Sequence, residues 1–251
     1  ISAGFGEEGH EGKMLEDRIV QYCDKAGAAL IGPNCTGILT PWHHSIFSTP
    51  IPAYDPKGCD FITGSGATGV FILESAITAG LRFANIFAVG NSAQLGVEEI
   101  LAHLDETFDP ETSSRVKLLY IENIRDPQKL LVHARSLIGK GCRIAAIKAG
   151  SSEAGSRAAS SHTGALASSD VAGDALFRKA GIVRCHGRQD LMTVASIFQL
   201  PELKGKNIAI ITHAGGPAVM LTDALSKAGL NVPKLDPDKT RPLKEKLFAG
   251  S

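Results

Sequence analysis

Cys59-Asp60-Phe61-Ile62-Thr63-Gly64-Ser65-Gly66-Ala67-Thr68-Gly69-Val70-Phe71-Ile72-Leu73 is the stretch that decides the fold. Its apolar first part, Cys59 to Thr63, reads as a buried strand, Gly64 to Gly69 as a glycine-rich loop, and Val70 to Ala79 as a helix. The same alternation continues downstream. Strands are predicted at Ala84–Val89, Val116–Ile121, Arg143–Ala149 and Ile182–Arg184, between helices at Val97–Leu104, Asp126–Ile138, Ala165–Ala180 and Asp190–Gln199. Each crossover helix must bury its apolar stripe on the sheet, so this order specifies a doubly wound α/β domain with a parallel sheet.

Upstream, Lys13 to Ala26 has helical spacing in Leu15, Ile19, Val20 and Cys23, followed by a short strand at Ala28–Ile31 and the turn Gly32-Pro33-Asn34. A proline-rich connector from Pro41 to Pro56, with the single Trp42, predicts a domain boundary. Downstream of Pro201, a strand at Asn207–Thr212, a loop at His213–Pro217, a helix at Ala218–Ala228 and a short strand near Val232 open another unit. Shifting the sequence by 149 residues lays Ile62–Leu81 over Ile211–Leu230 with 7 identities in 20, in phase through strand, loop and helix. Two copies of one domain type are expected, the second cut short. The division is then 1–55, 56–200 and 201–251. Starting at Ile1 in the strand-like Ser2-Ala3-Gly4, the chain reads as a piece of something longer.

Charge and composition exclude several classes. The 26 Lys plus Arg balance 26 Asp plus Glu, which leaves no field to collect polyanions, so no nucleic-acid partner is expected. No apolar run approaches the roughly 18 residues that a membrane helix requires, and no membrane association is expected. The five cysteines lack a C-x-x-C pair, so neither a disulfide framework nor a thiolate metal site is indicated, and a cytoplasmic setting is the simplest. His10, His43, His44, His103, His133, His186 and His213 have no metal-ligand spacing either.

Gly64-Ser65-Gly66-Ala67-Thr68-Gly69 fits G-x-G-x-x-G between a strand and a helix. A nicotinamide site also needs an acid at the end of the next strand, where this chain has Val89-Gly90-Asn91, with Glu98 and Glu99 further on. What remains is an anion site of backbone N–H groups at a helix N-terminus, or a tight turn. A run of small residues from Ala149 to Ser161 leads to His162, just before a helix that is predicted to open at Ala165. So long a loop in a compact α/β unit points to function. There the dipole disfavours the imidazolium and leaves a ring nitrogen free as a nucleophile, the alternative being a polar loop histidine beside an N-cap. Glu122 ends the strand Val116–Ile121 and places a carboxylate at the same sheet edge, where it could instead cap the next helix together with Asp126.

Ser161-His162-Thr163-Gly164-Ala165-Leu166-Ala167 resembles the NDP-forming acyl-CoA synthetases, the group of ADP-forming acetyl-CoA synthetase and the α-subunit of succinyl-CoA synthetase. The resemblance runs nearly end to end, through Ser2-Ala3-Gly4-Phe5, Ile31-Gly32-Pro33-Asn34-Cys35-Thr36-Gly37, Gly64-Ser65-Gly66-Ala67, Val89-Gly90-Asn91-Ser92 and Tyr120-Ile121-Glu122. It implies flavodoxin-like domains following the end of a Rossmann-like CoA-binding domain. His162 would be the residue phosphorylated in turnover and Glu122 its support. Ser65, Gly66 and Ala67, with Ser161, Thr163 and Gly164, would cradle the phosphoryl group. Ser2, Ala3, Gly4 and Asn34 would contact CoA. Mg-ADP/ATP or Mg-GDP/GTP would be held by an ATP-grasp domain or β-subunit outside this sequence, in an oligomer acting on acyl-CoA and phosphate. One departure is Gln94, where many relatives carry Asp. Two alternatives stay open: a nicotinamide-dependent oxidoreductase, and a non-catalytic CoA-sensing module of the kind fused to acetyltransferases.

Overall fold

Apolar strands with few side chains to satisfy are drawn to the centre of a sheet, and the computed structural model places them there. It describes residues 4–48, 50–155, 157 and 170–246. The chain forms two compact units, Ile1–Leu200 and Pro201–Ser251.

In the first unit, helix α1 (His10–Ala26) is followed by the hairpin β1 (Ile38–Thr40) and β2 (His43–His44). Then come β3 (Tyr54–Thr63), α2 (Gly66–Thr78), β4 (Phe83–Ala88), α3 (Val97–Glu106), β5 (Val116–Ile121), α4 (Pro127–Gly139), β6 (Arg143–Lys148), α5 (Asp170–Ala180), β7 (Val183–Cys185) and α6 (Arg188–Phe198). The sheet order is β2-β1-β4-β3-β5-β6-β7. From β4 to β7 every pairing is parallel, and β1 joins β4 antiparallel. Counted from β3, the parallel strands follow the flavodoxin order 2-1-3-4-5, with the chain reversing direction across the sheet between β3 and β5.

Two apolar layers hold the helices to the sheet. Ile72, Leu73 and Ala76 of α2 meet Leu191, Met192 and Ala195 of α6 on one face. On the other, Ile100 and Leu101 of α3, Leu130 and Leu137 of α4, and Phe177 of α5 pack over Ile62, Leu119 and Ile144. Burying each of these large side chains contributes roughly 1.5–3 kcal/mol.

The expected glycine-rich loop is shorter than the spacing predicted. Helix α2 begins at Gly66, because the Ser65 hydroxyl accepts from Thr68 N (3.4 Å) as its N-cap. Gly69 serves close packing: a Cβ there would lie 2.9 Å from Thr63 Cγ2. The strand expected at Ala28–Ile31 reduces to one bridge, Ile31 to Leu95, since the chain turns away at Gly32-Pro33. Within the Pro41–Pro56 connector, β2 closes the hairpin and Tyr54-Asp55-Pro56 already belongs to β3.

The second unit holds α7 (Gly215–Lys227) and α8 (Pro237–Lys244). Its two expected strands meet at a single bridge, Asn207 to Asn231, because Asn231 is the one neighbour that the described residues supply. The repeat is nonetheless visible at atomic level. Helix α7 starts and ends 149 residues after α2. Ser65 N donates to Thr63 Oγ1 (3.2 Å) and Ala214 N to Thr212 Oγ1 (3.1 Å). Past each helix end, Gly80 and Gly229 share left-handed φ values of 78° and 77°. No helix among the described residues is long and apolar enough to cross a membrane.

Candidate active site at the carboxyl edge of the sheet

Parallel strands deliver their carboxyl ends to one edge, and the residues that follow them form the site. After β3 come Gly64 and Ser65, after β4 Gly90 to Ser92, after β5 Glu122 to Arg125, and after β6 Ala149. Backbone bonds continue each ladder past its last strand residue: Gly64 N donates to Tyr120 O (3.0 Å), Val89 N to Thr63 O (2.9 Å) and Ala149 N to Ile121 O (2.9 Å). The first residue past each of these strands is therefore still tied to the sheet. Between them lies a cavity of ≈ 390 Å³ lined by Gly64, Gly90, Asn91, Glu98, Glu122 and Arg125, with Glu7 and Lys13 at its rim.

Gly64, the residue before Ser65, and Glu122 come together across the β3/β5 switch point and both line the cavity. A Cβ on Gly64 would stand 3.9 Å from Glu122 Cγ, so the small residue lets the carboxylate stem approach the turn. Ser65 Oγ donates to Thr68 Oγ1 (3.1 Å), and Thr68 in turn bonds the Tyr120 hydroxyl. Burial pushes the Tyr120 phenol above its ordinary range, against the opposing Thr68 bond. Ser65 and Gly66 are half-buried and Ala67 is exposed at the N-terminus of α2, where the dipole favours an anion. Ser65→Ala is expected to lower thermal stability by about 1 kcal/mol through the lost cap. It should also raise the phosphate concentration that half-protects the protein in a thermal-shift titration.

Sequence reasoning missed Arg125, and it weighed Glu98 only as an acid for a nicotinamide ribose. The Arg125 guanidinium donates to the carbonyls of Ser92 and Asn91, the latter at 3.0 Å, and so ties the β4 turn to the β5 turn. Glu98, buried on α3, accepts from Arg125 N (2.7 Å) and Asp126 N (3.3 Å) through Oε1. A charged residue between a strand end and the N-cap Asp126 was the available signal. Glu99 accepts from Gly96 N (2.9 Å) and pairs with Lys129 (2.7 Å). The two acids nearest the strand end where a nicotinamide ribose would need one are thus engaged in fixing helix ends, and that alternative finds no support.

Of the expected CoA contacts, Gly4 is buried with φ +97°, and Asn34 Nδ2 donates to Glu7 Oε1 (3.1 Å). Asn91 Nδ2 reaches the same oxygen (2.7 Å), and Asn91 N donates to Pro33 O (2.9 Å). Gly90 has φ +55°, and a Cβ there would fall 2.2 Å from Pro33 O, which explains the glycine. Gln94 accepts from Leu30 N (2.6 Å) and donates to Asp24 Oδ1 (2.5 Å). An Asp at this position could not make the second bond. Ser2, Ala3, Ser161, His162, Thr163 and Gly164 lie outside the described residues. No cluster of His, Cys, Asp or Glu among the described residues could hold a metal ion.

Residues 56–198 match the family described as the succinyl-CoA ligase like flavodoxin domain. The chain belongs to that family. Its curated relatives include the α subunit of the ADP-forming acetate–CoA ligase II of Pyrococcus furiosus, 37% identical over 94% of this chain and 50% of the relative. The ADP-forming 4-hydroxybutyrate–CoA ligase of Nitrosopumilus maritimus is 30% identical over 92% of this chain and 33% of the relative. Among solved structures, the dinucleotide-forming acetyl-coenzyme A synthetase 1 of Candidatus Korarchaeum cryptofilum in complex with phosphate and ADP superposes with a TM-score of 0.81 at 27% identity, over 98% of this chain and 52% of that one. The flavodoxin domain described here thus sits in a chain that spans about half the length of such relatives, or less.

Proposed function

We propose that this chain is the phosphoryl-transfer part of an ADP-forming acyl-CoA synthetase, an acid–thiol ligase. The observation that carries the reading is the approach of Gly64, which leads into the Ser65 N-cap, to the stem of Glu122 at the cavity on the β3/β5 switch point. The relatives' names supply the reaction class. Residues 1–55 would close a CoA-binding domain, 56–200 carry the site, and 201–251 open a second flavodoxin-like domain.

In the proposed reaction a phosphate oxygen attacks the thioester carbonyl, the C–S bond breaks, and acyl phosphate and CoA result. The imidazole of His162 then attacks phosphorus, and the P–O bond to the acyl group breaks to release the carboxylate. Finally the N–P bond of phosphohistidine breaks as the β-phosphate oxygen of ADP or GDP takes the group. Glu122 holds the ring, while the Ser65-Gly66-Ala67 turn, with Ser161, Thr163 and Gly164, takes up the phosphoryl charge. Ser2, Ala3, Gly4 and Asn34 would meet CoA. The nucleotide and its Mg²⁺ belong to an ATP-grasp domain or β-subunit, within a cytoplasmic oligomer.

The test uses the full-length protein with γ-labelled ATP and Mg²⁺. The expected result is label that is acid-labile and base-stable, mapped by mass spectrometry to His162, and discharged by carboxylate plus CoA. Acid-stable label on Ser160 or Ser161, or no label at all, would overturn the proposal.

A further inference from the structure

Lys148 closes β6 and is only 4% exposed, although it carries a charge. Its Nζ donates to Glu122 O (3.1 Å) and Ala149 O (2.6 Å). These are the first carbonyls beyond β5 and β6, and an orphaned carbonyl there would be costly to bury. The aliphatic stem runs beneath α5, where a Cβ on Gly173 would stand 3.8 Å from Lys148 Cγ. The charged groups facing it are Glu122 beyond β5, Asp170 on α5 and Arg184 on β7. Arg184 is itself paired with Asp170 and Asp174. Burial, the largest influence, holds the Lys148 ammonium below the usual lysine range. Keeping such an ammonium costs free energy that a methionine of similar length would not. What the ammonium provides is a fixed peptide plane at Glu122, and with it the direction in which the carboxylate leaves the backbone toward the cavity. It fixes Ala149 in the same way, from which the chain sets out toward His162.

We propose that Lys148 is a positioning residue for phosphoryl transfer, its ammonium joining the Glu122 and Ala149 main chains so that the Glu122 carboxylate is held in its working direction. The inference rests on the function proposed above. It concerns a residue that touches neither substrate nor phosphoryl group.

The experiment compares full-length wild type, Lys148→Met and Lys148→Arg in single-turnover labelling with γ-labelled ATP and Mg²⁺, with amide hydrogen exchange on the same samples. Lys148→Met is expected to slow labelling about 10–100-fold, the size typical of losing an outer support, with the half-saturating ATP concentration within about twofold of wild type. Exchange should quicken at residues 122–123 and 149–150 and stay unchanged in β3 and α2. Lys148→Arg keeps donors for both carbonyls and should recover most of the rate. Labelling by Lys148→Met at the wild-type rate would overturn this inference alone. So would an equal loss in both variants accompanied by faster exchange throughout the sheet, since that marks a general packing role. A wild type without label would overturn the function itself, and this inference with it.

Discussion

His162→Ala, made in the full-length protein, is expected to remove acid-labile labelling altogether and to lower net acyl-CoA synthesis by at least about 10⁴-fold, the scale seen when a covalent nucleophile is deleted. The magnitude follows from the chemistry. Without a ring nitrogen to accept it, the phosphoryl group has no covalent station between acyl phosphate and nucleotide, and a water molecule in its place yields only hydrolysis. The fold should persist, because a residue in a run of small polar ones contributes little packing. Circular dichroism and a thermal melt check that point. Glu122→Gln should slow labelling about 10–100-fold without moving it, as expected where a carboxylate orients the ring but does not react. Acid-labile label persisting in His162→Ala would transfer the chemistry to another histidine and leave Ser65 and Glu122 without their proposed roles.

The parallel sheet was legible because its strands, around Phe61-Ile62, Ile86-Phe87 and Leu118-Leu119, are apolar on both faces and separated by helices of full length. That Ser65 and Glu122 follow the carboxyl ends of β3 and β5 was legible for a related reason: in such a sheet every strand end arrives at one edge. Three features were not. Glycine marks both positive φ and close approach, and the sequence does not say which, so Gly66 and Gly69 read as loop although they form the first turn of α2. The strands expected around Ile31 and Ile208 have the right residues, but pairing depends on a neighbour, and each finds a single bridge. The Arg125 and Lys148 contacts end on backbone carbonyls, which every residue carries, so no side-chain pattern announces them.

The other large effect is expected from Asp60 and Lys117, which are register partners on β3 and β5, the two strands that carry Ser65 and Glu122 to their ends. Their side chains meet at 2.5 Å with exposures of 2% and 1%. Asn85 Nδ2 donates to the other Asp60 oxygen (2.7 Å), and Lys117 Nζ also donates to Ser114 O (2.7 Å). Lys117→Met would leave a carboxylate buried with a single amide partner, and Asp60→Leu would leave a buried ammonium without a counter-charge, held by the Ser114 carbonyl. Each should lower unfolding stability by about 3–5 kcal/mol, the cost of stranding one charge of a buried pair. That is about a fifth or more of the roughly 5–15 kcal/mol available to a domain. The double variant Asp60→Leu/Lys117→Met removes both charges and should be markedly less destabilised than the sum of the singles. Denaturant unfolding followed by circular dichroism gives all three values. Additive losses would mean that the pair is held by its separate bonds to Asn85 and Ser114 rather than by mutual attraction. Because the pair fixes β3 against β5 from the opposite end of the strands, the single variants should also slow phosphoryl labelling in step with their loss of stability, and the double variant should regain it.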